Sequence, residues 1–184
     1  MGEIRKALPP AKLIFGLLAA DEAVRRECLE RLAAEFGPID LETPLEPFLF
    51  TRYYCEEMGE AILRQYLSIG PLIDMGELPR IKHRTNALEE ELALTDESGR
   101  KRRRVNIDPG YVAAAKMVLA TTKDYAHRIY VADGIFAEVT LHYQRQGGFA
   151  PYPWTYRDYA RPEVCAFFNA VRETYLGQLR EAGW

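Results

Sequence analysis

Two β-rich runs, His127 to Val131 and Ile135 to Tyr143, flank Asp133-Gly134. An Asp-Gly pair accepts positive φ at both turn positions, so this spacing predicts a two-residue hairpin. Pairing Ala132 with Ile135 sets His127 opposite Thr140. Strand alternation then puts Arg128, Tyr130, Ile135, Ala137, Val139 and Leu141 on a largely apolar side expected to face a core. His127, Ile129, Val131, Phe136, Glu138, Thr140 and His142 share the other side, within cross-strand or diagonal reach. A slip of one residue would undo that grouping.

Other elements follow from local pattern. Lys12 to Ala19 is a short apolar run that reads as a buried strand. Asp21 is placed to cap a helix whose apolar positions Val24, Cys28, Leu32 and Phe36 recur at helical spacing, with Gly37-Pro38 ending it. Leu41 to Pro47, with two prolines, is expected to be a loop. Phe48 to Tyr54, aromatic and β-branched, reads as a strand. Glu57 to Ile69 is balanced between a helix, through Met58, Ile62 and Tyr66, and a strand from Gln65 to Ile73. Glu77 to Ala93 is helical, with Pro79 in its first turn. Arg103 to Asp108 is expected to be a strand stopped by Pro109-Gly110, and Tyr111 to Ala120 a short helix or a buried strand. Gln146-Gly147-Gly148 opens an aromatic loop, and a last helix starts near Pro162.

The order β-α-β-(β or α)-α-β, then a hairpin and a helix, predicts one α+β domain over residues 1–184 with a mixed or antiparallel sheet. Its first part is compatible with a ferredoxin-like split βαβ core. Apolar residues at 48% and charged residues at 28% are enough for a packed core. No apolar run approaches the roughly 20 residues a bilayer requires. Met1 to Pro10 lacks a secretory pattern. Three cysteines without close spacing argue for a reducing, cytoplasmic setting. No zinc signature occurs, no metal site is assigned, and no cofactor can be named. A net charge of −3 argues against broad nucleic-acid binding. Arg100 to Arg104 is the exception, read as a solvated loop or a phosphate contact.

Several polar groups stand where chemistry is feasible. His127 beside Glu138 suits acid/base work, because a carboxylate orients and tunes an imidazole; a second reading is metal ligation by the two histidines and Glu138, and the bland one is a half-exposed sheet face, with His142 a bystander. Asn106 and Asp108 share one face at a strand end, where a sheet holds polar groups rigidly; otherwise Asp108 caps a Pro-Gly turn. Lys82, Asn86 and Glu89 line one helix face, as a binding surface or as a solvated stripe. Thr121 to Asp124 resembles the guanine-reading TKxD motif with its aspartate one position early. The phosphate loop that a GTPase requires is missing, so Lys123 is read as a phosphate or carboxylate contact, or with Asp124 as a charged loop. Trp154, Tyr156 and Tyr159, with Asp158, either stack on a ring or pack a loop onto the body. Arg104 and Lys82 would join Lys123 in holding an anion, with Thr140 beside the His127–Glu138 pair.

Six stretches resemble the domain-of-unknown-function 4416 family of small prokaryotic proteins: FLFTRYYCEEMG from Phe48, IKHRTNALE from Ile81, VNIDPGY from Val105, LATTKDYAHRIY from Leu119, GIFAEVTL from Gly134 and WTYRDY from Trp154. The resemblance implies no established activity and carries no catalytic residues. Some members bear a GTP-binding label, which the missing phosphate loop does not support here. The leading expectation is a protein that binds, and acts on, a small phosphorylated or nucleotide-like ligand. That requires Asp108, Lys123, His127 and Glu138 to converge on one cleft. The alternatives are a non-catalytic nucleotide or RNA-binding module and a protein-interaction or assembly protein.

Overall fold

A computed structural model describes residues 7–97 and 99–184. Residues 1–6 of the N-terminal stretch, and Ser98 in the turn before the arginine cluster, lie outside the described residues. The strands are β1 (Ala11–Ala19), β2 (Ile39–Glu42), β3 (Glu46–Pro47), β4 (Leu63–Ile73), β5 (Leu94–Thr95), β6 (Lys101–Arg102), β7 (Val105–Ala113), β8 (Lys116–Thr121), β9 (Ile129–Ala132), β10 (Ile135–Gln144) and β11 (Gly148–Pro151). The helices are α1 (Glu22–Phe36), α2 (Cys55–Met58), α3 (Leu78–Glu91) and α4 (Pro162–Glu181), with a 3₁₀ turn at Met75–Glu77.

One antiparallel sheet runs in the order β11-β10-β8-β7-β1-β4-β2, with β3 added to β4 and β9 to β10. Within it, α1 carries the chain from β1 past β4 to β2, and α3 carries it from β4 past β1 to β7. The order β7-β1-β4-β2 with those two crossovers is the split βαβ arrangement expected from the sequence. β8, β10 and β11 extend its β7 edge. The architecture is α+β.

β1 explains the unbroken apolar run of the sequence. It is an interior strand, between β7 and β4, and both of its faces are covered. Leu13, Phe15 and Leu17 pack with Val24, Cys28 and Leu32 of α1 and Ile81 and Leu88 of α3. Ile14 packs on the opposite side with Tyr66 and with Phe168 and Val171 of α4. Asp21 caps α1, its carboxylate accepting from the Val24 amide at 2.8 Å. Among the described residues no helix is long and apolar enough to cross a membrane.

Four local expectations are corrected, and two segments left open between helix and strand are strands. Phe48 to Tyr54 is a loop beyond the short β3, because its aromatic side chains serve a cavity instead of a sheet face. Leu41 to Pro47, expected to be a loop, contributes the end of β2 and all of β3, both paired to β4. The segment balanced between helix and strand is β4, preceded by the single turn of α2. Pro109-Gly110 does not stop a strand. β7 runs through both residues, and Tyr111 to Ala120 is the rest of β7 and most of β8. Gly148 begins a strand, β11, which pairs with the end of β10.

The hairpin turn forms as read, with φ of 52° at Asp133 and 76° at Gly134. Its register differs from the expected one. Ala132 pairs with Ile135, but a bulge then sets Tyr130, instead of Val131, opposite Phe136. Ile129, Tyr130 and Val131 are exposed on an edge strand, whereas Glu138 and Thr140 are buried. Of the polar group expected on a half-exposed surface, Glu138 and Thr140 are therefore internal, and His127 and His142 are half-buried.

Candidate functional site

β7 and β8 separate halfway along. Their pairing runs from Ala113–Lys116 to Gly110–Leu119. The next residue of β7 is Pro109, which has no N–H to continue a ladder. Asn106 and Asp108 on β7, and Thr121 at the end of β8, consequently line an opening. α3 supplies the bonds that β8 leaves unmade. Lys82 Nζ donates to the Ile107 carbonyl at 3.0 Å, and the Ile107 amide donates to Glu89 Oε1 at 2.7 Å. Lys82 and Glu89 stand two turns apart on one helix face, so the pair brackets both backbone groups of a single residue. The reading of this face as a solvated stripe is corrected. Lys82 is buried, and burial pushes the Glu89 carboxyl up to about 7. Asp108 adds to that rise, while Lys82, the Ile107 amide and Arg103 oppose it.

The opening is a chamber of about 270 Å³ that continues into a second of about 400 Å³. Tyr53, Tyr54, Asp108, Lys123 and Tyr156 belong to the walls of both. The larger chamber takes its aromatic side from the loop after β3, through Phe48 and Phe50, and its far wall from the segment before α4. Its floor is built on Arg64 of β4 and Tyr159. The Arg64 guanidinium lies 4.4 Å from the Tyr66 ring centre and 4.9 Å from that of Tyr159, and it pairs with Asp158 at 2.8 Å. Tyr66 donates its hydroxyl proton to the same carboxylate at 3.1 Å. Gly16 on β1 makes room for this arrangement. A Cβ there would overlap the Tyr159 hydroxyl and stand 3.1 Å from Arg64 Nη2. Two buried polar atoms on this floor, Arg64 Nε and the Tyr159 hydroxyl, have no partner among the described residues. Burial holds the Tyr159 phenol well above its ordinary pKa, so the hydroxyl keeps its proton.

The rim differs in charge. Lys123 Nζ lies 4.8 Å from the Tyr53 ring centre and donates to its hydroxyl at 3.4 Å. Among the described residues neither Lys123 nor Arg157 has a carboxylate partner. Arg103, in the smaller chamber, is held by Glu57 at 2.8 Å.

The structure divides the sequence candidates into two groups. Lys82, Asn86, Asn106, Asp108 and Lys123 line the cleft. Asn106 joins two neighbours, accepting from Arg103 at 2.9 Å and donating to Asp108 Oδ2 at 3.1 Å. No Pro-Gly turn exists for Asp108 to cap. His127, Glu138, Thr140, Trp154 and Arg104 line neither chamber. His127 Nε2 does lie 3.2 Å from Glu138, and its ring stacks on Trp154 at 5.5 Å. Glu138 also accepts from Arg128 Nε at 2.8 Å and from Thr140 at 3.4 Å. Arg128 reaches the cleft wall by donating to the Tyr156 hydroxyl at 2.7 Å. The four groups required to converge thus do so only in part: Asp108 and Lys123 meet at the cleft, and the histidine pair stands behind it. His142 contacts Gln144 and Tyr152, away from His127. Trp154 donates to the Val139 carbonyl at 3.1 Å. Arg104 is taken by Asp21 at 2.8 Å.

The arginine cluster is likewise matched by acids, with Arg100 on Glu56 at 3.2 Å and Arg102 on Asp96 at 3.4 Å. Among the described residues no group of three or more His, Cys, Asp or Glu side chains stands together to hold a metal. Sequence reasoning missed Arg64, Arg157 and the role of Tyr53 and Tyr54. The tyrosines were legible as an aromatic run but not as a cavity wall, and nothing local marks Arg64.

No curated protein and no solved structure matches the chain. A family model described as Domain of unknown function (DUF4416) matches residues 9–175 of the 184. Nearly the whole fold lies inside that match, including both chambers of the cleft, and the chain belongs to the DUF4416 family.

Proposed function

We propose that the cleft binds a small phosphorylated or nucleotide-like molecule. The observation that carries this reading is the pair of rim cations, Lys123 and Arg157, which have no carboxylate partner among the described residues. Surface cations beside acids are commonly neutralised, as Arg100, Arg102 and Arg104 are here. A cation left unmatched at the mouth of a cavity attracts an anion. Tyr53, Tyr54 and Tyr156 offer ring faces and edges for a planar or cyclic body. A volume of about 400 Å³ suits a molecule of that size. Glu89, pushed up to about 7 in the adjoining chamber, supports an acid/base role toward the bound molecule over passive binding. Buried Cys28 and Cys165, both free, accord with a reducing cytoplasmic setting.

Thermal unfolding in the presence of AMP, GMP, ribose 5-phosphate, adenosine and inorganic phosphate tests the reading. A compound held at one hundred times its dissociation constant adds about 2.7 kcal/mol to stability. Phosphorylated ring compounds are expected to raise the midpoint more than adenosine does. No shift with any phosphorylated compound contradicts the reading.

A further inference from the structure

The larger chamber is electrostatically two-ended. At the rim, Lys123 and Arg157 have no acidic partner among the described residues. At the floor, Arg64 is already neutralised by Asp158 at 2.8 Å, and Asp108 adds a second carboxylate to the same walls. A phosphate pushed to the floor would meet two carboxylates for one guanidinium, so its charge belongs at the rim.

The floor nonetheless asks for a partner. Among the described residues the Tyr159 hydroxyl and Arg64 Nε are buried without a hydrogen bond, and the two residues are 1% and 2% exposed. Leaving a buried donor unpaired is unfavourable, and a native protein seldom retains two such atoms side by side without use. Among the described residues Asp108 accepts one hydrogen bond, on Oδ2 from Asn106. Two donors that need an acceptor therefore share a wall with a carboxylate that has acceptor capacity to spare. A hydroxyl group satisfies both demands because it donates and accepts at once. A phosphate or a methyl group satisfies only one or neither.

Resting on the binding reading above, we infer that Arg64, Tyr159 and Asp108 form a subsite for the hydroxyls of a sugar-like ring, whose anionic group sits outward at Lys123 and Arg157. The ligand class is a hydroxylated ring bearing one phosphate or carboxylate, as in sugar phosphates and nucleoside monophosphates. The tyrosine walls hold the ring between the two ends.

Calorimetric titration of the full chain with AMP, 2′,3′-dideoxyAMP, ribose 5-phosphate and inorganic phosphate tests this, using wild type, Tyr159→Phe and Asp108→Asn. Wild type is expected to bind the better of AMP and ribose 5-phosphate at least about tenfold more tightly than the dideoxy compound, because a site built around a hydroxyl rejects the analogue lacking it. The preferred probe of the two distinguishes a nucleotide from a free sugar phosphate. Tyr159→Phe keeps the ring that stacks on Phe168 and is expected to cut that discrimination below about threefold while leaving inorganic phosphate unaffected. Asp108→Asn is expected to reduce it in the same direction. Equal wild-type affinity for AMP and its dideoxy form overturns the subsite and leaves the anion reading standing. So does a Tyr159→Phe variant that keeps full discrimination. No binding by any phosphorylated probe overturns both.

Discussion

Arg64 and Asp158 meet at 2.8 Å, with side chains 2% and 9% exposed, at the floor of the larger chamber. An ion pair so enclosed gains little against its loss of hydration, yet breaking it is expensive because one charge is left buried and unmatched. Asp158→Asn is expected to destabilise the fold by about 3–5 kcal/mol in chemical denaturation. Adding Arg64→Met should cost less than the sum of the two single changes, since the second substitution removes the stranded charge. Strict additivity would show that the two side chains act independently.

Gly16 and Tyr159 form a second coupled pair. The hydroxyl occupies the space where a Cβ on Gly16 would stand. The Tyr159 ring has no room to retreat, being stacked on Phe168 at 6.1 Å and edge-on to Tyr66 at 4.9 Å. Gly16→Ala is expected to lower stability by about 1–3 kcal/mol through overpacking. In a Tyr159→Phe background the same change should cost less than half as much. An equal cost in both backgrounds would place the strain elsewhere.

Glu89 makes stability depend on pH. Its carboxyl is pushed up from 4.5 to about 7, first by burial and then by Asp108. A raised carboxyl pKa means that the folded state holds the proton more tightly than the unfolded chain does. Its stabilising contribution is therefore full below pH 4.5 and is lost as pH rises through about 7. Across that window the loss is on the order of 3 kcal/mol. Glu89→Gln keeps an acceptor for the Ile107 amide and removes the titration. Its melting temperature is expected to fall less than that of wild type between pH 5 and pH 8. Parallel curves would contradict a raised Glu89.

What was legible in the sequence follows physical lines. The helices and the interior strand β1 announce themselves, because Val24, Cys28 and Leu32, or the unbroken run of β1, reflect burial on known faces. The Asp133-Gly134 turn is legible because its chemistry is local, whereas the bulge beside it depends on β9 being an edge strand. Pro109 reads as a stop because a proline ends most ladders; here the ladder on one side does end, and Lys82 and Glu89 of α3 replace it. Part of the candidate site was visible as polar residues: Lys82 and Asn86 on one helix face, Asn106 and Asp108 on one strand face, and Lys123 before the hairpin. Arg64 was not visible, because its environment is assembled from Gly16, Tyr66, Asp158 and Tyr159, which are scattered along the chain. His127 and Glu138 do find each other, but the cleft lies on the far side of Arg128 and Tyr156.

In the proposed binding mode, the rim cations Lys123 and Arg157 hold the ligand's anionic group. The most direct measurement is the dissociation constant of AMP by calorimetry at two salt concentrations, for wild type and for Lys123→Ala/Arg157→Ala. Both side chains are exposed, so the double variant is expected to fold and melt like wild type. A loss of affinity of at least about tenfold, with weakened salt dependence, is the expected result. Affinity and salt dependence unchanged from wild type would contradict it.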